Sequence, residues 1–251
     1  MLRIGSFASS AFIMALTVSP QHAEAQQVTF PATDGDTVHA TWYRTGGTPA
    51  ALILAFHQGG ASGEAEYGPI AARLNREGFD VLAVDQRAGG SLFGGVNRTV
   101  RDQGGETGYC EAAPDLEGAL AYARAERADL PIILWGSSYS AALVLRLAAT
   151  NPEAVVAVLA FSPASGEPMT GCRGEEVSHD IDVPVLALRP RGEMEREPVA
   201  MQMQLFRNQG HQVFVADPGE HGSSMLVEER VGASIEATWE KVREFLARAT
   251  H

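Results

Sequence analysis

Lysine is almost missing from this sequence: Lys241 is the only one in 251 residues, and arginine carries the rest of the positive charge. The net charge is -12, and no basic cluster stands out, which excludes a nucleic-acid backbone as partner, since binding phosphates needs clustered cations. Cysteine is nearly as scarce. Cys110 and Cys172 are the only two, and neither has Cys-x-x-Cys or Cys/His ligand spacing, so no zinc or other metal site is expected. The glycine-rich stretches contain neither Gly-x-Gly-x-x-Gly nor the Lys-Ser/Thr of a phosphate loop, which leaves a nucleotide cofactor unsupported. The apolar run from Ala11 to Val18 falls short of the roughly 20 residues that span a bilayer. No repeat, low-complexity tract or internal linker divides the chain.

What is present is ordinary globular material, with 45% hydrophobic and 20% charged residues. At the N-terminus Arg3 precedes the short apolar run, and Ala23-Glu24-Ala25 follows it. This is the pattern of a secretory leader. The expectation is a cut before Gln26, with residues 1–25 removed, residues 26–251 left as one domain, and a secreted or periplasmic location. An oxidising compartment makes Cys110 and Cys172 candidates for one disulfide.

After two short opening strands between Gln27 and Arg44, joined at Asp34-Gly35-Asp36, apolar runs alternate with helical spacing. Strands are expected at Ala50 to Phe56, Phe79 to Val84, Pro131 to Trp135, Ala154 to Phe161, Val183 to Leu188 and Gln212 to Ala216. Helices are expected at Glu64 to Arg76, Pro114 to Arg127, Tyr139 to Thr150, Glu197 to Asn208 and Ser234 to Ala249. Continuous apolar strands alternating with helices imply an α/β fold, a mostly parallel sheet covered on both faces. Its functional crevice then lies at the carboxyl ends of the strands. The segment from Asp85 to Ala113 reads as a long glycine-rich loop at that edge.

Strand Ile132 to Trp135 runs through Gly136-Ser137-Ser138-Tyr139-Ser140 into a helix. A strand, a small-x-Ser-x-small turn and a helix in succession form a nucleophile elbow with Ser138 at its tip; the competing reading is a serine that only caps the helix. A serine hydroxyl needs a base, and the base needs an orienting acid. Of the seven histidines, His22 leaves with the leader, His251 is terminal, His39 lies inside a strand, and His179 and His211 precede strands. His221 follows strand Gln212 to Ala216 at the required edge and is the expected base. The loop after the preceding strand offers Glu193 as the acid, with Glu195 the alternative. The turn His57-Gln58-Gly59-Gly60 is suited to aim amides at an oxyanion; Gln58 is the expected donor beside Tyr139, with Gly59 in reserve, and His57 is read as structural.

Phe56-His57-Gln58-Gly59-Gly60, Val84-Asp85-Gln86-Arg87, Gly136-Ser137-Ser138-Tyr139-Ser140 and Glu220-His221-Gly222-Ser223-Ser224 together resemble the α/β-hydrolase superfamily, near dienelactone-hydrolase-like proteins and small serine esterases. The likeness spans about residues 27 to 249. Dienelactone hydrolases proper use a cysteine where this chain has Ser138, so their substrate is not implied. The stretch from Ser162 to Asp182 is too short for a sizeable cap domain. The resemblance implies a cofactor-free hydrolase of small-molecule esters, working through an acyl-enzyme on Ser138. Thioesterase or peptidase activity on the same triad, and a non-catalytic binding protein on the same scaffold, are the alternatives.

Overall fold

The structure, a computed structural model, describes residues 24–250. Among these, eight strands form one sheet in the order β1-β2-β4-β3-β5-β6-β7-β8. The strands are β1 (Glu24–Pro31), β2 (Thr37–Arg44), β3 (Ala51–Phe56), β4 (Phe79–Asp85), β5 (Ile132–Ser137), β6 (Ala157–Phe161), β7 (Val185–Pro190) and β8 (Gln212–Ala216). The helices are α1 (Gly63–Arg76), α2 (Arg98–Gln103), α3 (Ala113–Glu126), α4 (Tyr139–Thr150), α5 (Glu197–Asn208), α6 (Glu228–Val231) and α7 (Glu236–Ala249). The opening hairpin joins antiparallel through β2 to β4, and β4 to β8 run parallel.

The unbroken apolar runs follow from burial on two faces. Along β3, Leu52, Leu54 and Phe56 enter one core with α3, α4 and α5, while Ala51, Ile53 and Ala55 enter the other with α1 and α7. Successive side chains point to opposite faces, so a strand covered on both sides has no polar position to spare. The second core centres on Tyr67, Trp135, Phe161, Trp239 and Phe245, with Trp135 stacked on Phe161 at 4.6 Å between ring centres.

Most expected elements are present, with ends moved by a few residues. β6 begins at Ala157 rather than Ala154, because Ala154 closes a turn by donating its amide to Asn151 O at 3.0 Å. The larger departure lies between β4 and α3. This segment is not a featureless loop: it contains α2, capped by the Asn97 side chain on the Val100 amide and ended by Gly104 in the left-handed region at φ 81°. Two buried ion pairs shape it. Arg87 bridges Asp115 and Asp34, and Arg98 donates to Asp85 at 2.7 Å. A disulfide joins Cys110 to Cys172, with Cα atoms 5.6 Å apart. It ties the end of this segment to the short 3-10 turns between β6 and β7, where no cap domain is inserted.

The expected leader lies outside the described residues except for Glu24 and Ala25, which pair with Arg44 and Tyr43 at the free end of β1. Among the described residues no helix is long and apolar enough to cross a membrane.

Candidate active site

Ser138 sits between β5 and α4 with φ 61° and ψ −117°, a conformation costing on the order of 1–3 kcal/mol for a residue with a side chain. The turn is held from both sides: the Ser138 amide donates to Phe161 O at 2.8 Å, and the Ala164 amide donates to Ser138 O at 3.1 Å. Gly136 makes the bend possible, since a Cβ there would lie 2.4 Å from Ser140 O. Ser140, standing where the motif commonly has glycine, donates its hydroxyl to His57 O at 2.6 Å and accepts from Gln86 Nε2 at 2.5 Å. This small departure from the motif thus stitches the elbow to the turn after β3.

On the far side, β7 and β8 deliver a carboxylate and an imidazole. Glu193 Oε1 accepts a hydrogen bond from His221 Nδ1, which leaves Nε2 as the ring's acceptor nitrogen. Glu193 Oε2 accepts from Arg189 at 2.5 Å. Arg189 itself is 3% exposed and also donates to Gln202 Oε1 at 2.7 Å and to Pro163 O. Burial alone raises the Glu193 pKa, but the His221 bond and the Arg189 charge outweigh it and bring it down to about 2. Glu195 is exposed and, among the described residues, makes no hydrogen bond to His221.

The residues after His221 pack against the residue before Ser138. The Ser223 amide donates to Ser137 Oγ at 3.0 Å, and a Cβ on Gly222, whose φ is 64°, would lie 2.2 Å from the same oxygen. Glu193 and His221 are therefore in contact, and their loop adjoins the elbow. Among the described residues no hydrogen bond runs from Ser138 Oγ to His221.

The turn after β3 departs from expectation. The Gln58 amide donates inward to Glu66 Oε2 at 2.7 Å, so it is already engaged, whereas the Gly59 amide has no acceptor among the described residues. The Tyr139 amide, in the first turn of α4, precedes the intrahelical hydrogen-bond ladder. His57 is structural, as expected: fully buried, it donates from Nδ1 to Gln58 O at 2.8 Å and accepts at Nε2 from the Gln86 amide at 3.0 Å. Burial lowers its pKa and keeps the ring neutral. Glu66 is fully buried, and burial pushes its pKa up to about 7 against the lowering effect of Ser137 and the Gln58 amide.

Arg189 and Glu66 escape a reading of the sequence alone. Arg189 leaves a trace as a lone cation inside an apolar strand. Glu66 leaves none, because a glutamate in the first turn of a helix is normally a solvated one.

A family model described as "Serine aminopeptidase, S33" matches residues 47–178, more than half of the chain. No curated protein matches in sequence. Similar solved structures include an esterase from Pyrococcus furiosus (19% identity, 94% of this chain and 96% of that one, TM-score 0.66). A thermostable carboxyl esterase from Bacillus coagulans (14%, 88% and 98%, 0.67) and a dienelactone hydrolase from Anabaena variabilis (15%, 91% and 99%, 0.67) are also similar. At these identities the likeness is one of fold: the mostly parallel α/β-hydrolase sheet.

Proposed function

The chain belongs to the hydrolase family described as serine aminopeptidase, S33, and from that premise we propose that it hydrolyses small carboxylic esters through an acyl-enzyme on Ser138. Ser138 Oγ attacks the ester carbonyl while His221 Nε2 takes its proton. Glu193 holds the ring in the tautomer this requires and stabilises the imidazolium that forms. The tetrahedral oxyanion is received by the amides of Gly59 and Tyr139, Gly59 replacing the engaged Gln58. The imidazolium returns the proton to the departing alkoxide, and water then repeats the sequence in deacylation. A hydrogen bond from Ser138 to His221 that is missing in the resting site is of the kind that forms or tightens when substrate arrives.

The observation that best supports this reading is the chain of Arg189, Glu193 and His221, three charged or titratable groups lined up beside a strained serine. Surface ion pairs rarely involve an arginine buried to this degree. The test is hydrolysis of nitrophenyl esters of graded acyl length by the wild type and Ser138→Ala. Activity on the short esters that vanishes in the variant is expected; equal rates in the two proteins contradict the proposal. The family description favours a second reading, an aminopeptidase on the same residues. Faster turnover of an aminoacyl anilide than of any ester decides for it.

Export to a periplasmic or extracellular compartment is part of the proposal. It rests on the leader-like N-terminus and on a disulfide of the kind that oxidising compartments maintain. The mass of the exported protein tests it: loss of residues 1–25 is expected, and an intact N-terminus contradicts it.

A further inference from the structure

Tyr109 lies just before the disulfide residue Cys110, in the segment between β4 and α3. Its ring is stacked on that of Tyr139, with centres 4.6 Å apart and planes 10° from parallel. Tyr139 is the residue after the elbow serine, and its ring is fully buried. The stack carries the Tyr109 hydroxyl to the turn after β3, where a Cβ on Gly59 would lie 2.5 Å from it. One side chain thus touches both residues whose amides are assigned to the oxyanion.

The disulfide anchors the neighbouring backbone, the stack fixes the ring plane, and Gly59 leaves the hydroxyl room that any other residue would occupy. Among the described residues, however, the hydroxyl makes no hydrogen bond, and the side chain is only half-buried. A groove of about 790 Å³ lined by Gly59, Gly60, Gly89, Gly90 and Leu92 opens beside the same turn. A donor with no protein acceptor, held by its stack against a turn that lines an open groove and whose Gly59 amide also lacks an acceptor, is placed to meet a ligand oxygen.

We propose that Tyr109 is a catalytic residue whose hydroxyl donates a hydrogen bond to the substrate carbonyl oxygen as it becomes an oxyanion, alongside the amides of Gly59 and Tyr139. This rests on the assignment of Ser138 as nucleophile. The hydroxyl shares its proton in a hydrogen bond and transfers none; it stabilises charge that develops on the oxygen. A donor of this kind acts on the transition state more than on the bound ester, so its removal lowers kcat more than it raises KM.

Tyr109→Phe removes the oxygen and keeps the stacked ring and the disulfide. On a short-chain nitrophenyl ester, kcat is expected to fall by about 100-fold, the lower range for losing one oxyanion donor. KM and the thermal unfolding midpoint are expected to stay near the wild-type values. A fall in kcat of tenfold or more with unchanged stability supports the proposal. A smaller fall, or a rise in KM at constant kcat, overturns it. Ser138→Ala, assayed in parallel, separates the two levels. If it is inactive while Tyr109→Phe is unimpaired, only this inference fails; if Ser138→Ala is itself active, the assignment of the nucleophile fails.

Discussion

The two sides of the candidate site each withdraw a glutamate from bulk water, and their surroundings drive the two acids in opposite directions. Next to β7, Glu193 meets the buried guanidinium of Arg189 and the Nδ1 of His221, and its pKa drops to about 2. Behind the turn after β3, Glu66 is completely buried where Glu193 is only partly so; the Ser137 hydroxyl, the Gln58 amide and the more distant charges of Arg230 and His221 do not offset that burial, and its pKa climbs to about 7. The difference lies in the depth of burial and in whether a cation is in direct contact. A carboxylate moved out of water keeps its charge when a fixed positive group in contact replaces the lost hydration, and tends to neutralise when it is fully buried and the cations stay out of contact. The first arrangement suits the role proposed for Glu193, stabilising an imidazolium; the second suits a strut that holds a loop.

Replacing each acid by its amide breaks the comparison if it is wrong. Glu193→Gln retains the shape but offers His221 an amide in place of a charge, so kcat is expected to fall by about 10⁴-fold, as in triads whose acid is amidated. Steady-state kinetics measure this, and a fall of less than tenfold would remove Glu193 from the relay.

The second effect concerns the covalent tie beside the oxyanion turn. Converting Cys110 and Cys172 to serine opens a closed loop with a sequence separation of 62 residues. By the loop-entropy model this costs about 4 kcal/mol of folding stability. Denaturant unfolding of the double variant measures the loss, and a stability equal to the wild type would show the bridge to be without structural weight.

The smallest effect belongs to Glu66→Gln. Because burial raises the folded-state pKa of Glu66 from 4.5 to about 7, its contribution is fully present below the unfolded value and is lost as pH rises through the folded one. Between about pH 4 and about pH 8 the wild type therefore forfeits about 3 kcal/mol that the amide does not. Denaturant midpoints for both proteins at the two pH values test this. The variant should gain on the wild type as pH rises, at little cost in kcat; a pH-independent difference would mean that folding leaves the Glu66 pKa at its ordinary value.

The same contrast explains what could be read in the sequence. Strands buried on both faces must be apolar throughout, so β3 to β7 announced themselves as unbroken runs, and α1, α4 and α5 as the periodic segments between them. The turn at Ser138 and the pairing of Glu193 with His221 were legible because each residue stands just past the end of a strand, where chain order constrains position. The oxyanion turn was less so. Whether Gln58 or Gly59 leaves its amide open depends on Glu66 reaching back from α1, a contact across eight residues that no periodicity encodes. The segment carrying Tyr109 was legible least of all. Its course is set by long-range ties, Arg87 to Asp34 and Asp115, and Cys110 to Cys172, whereas its local composition, rich in glycine, specifies little.

The central claim, that Ser138 is the activated nucleophile, is tested most directly by intact-mass analysis after exposure to a fluorophosphonate, with the modified residue located by peptide mapping. The account predicts a single adduct per chain on Ser138, absent from Ser138→Ala and slowed in Glu193→Gln. Labelling that persists in Ser138→Ala, or a wild-type chain that takes up no label, would contradict it.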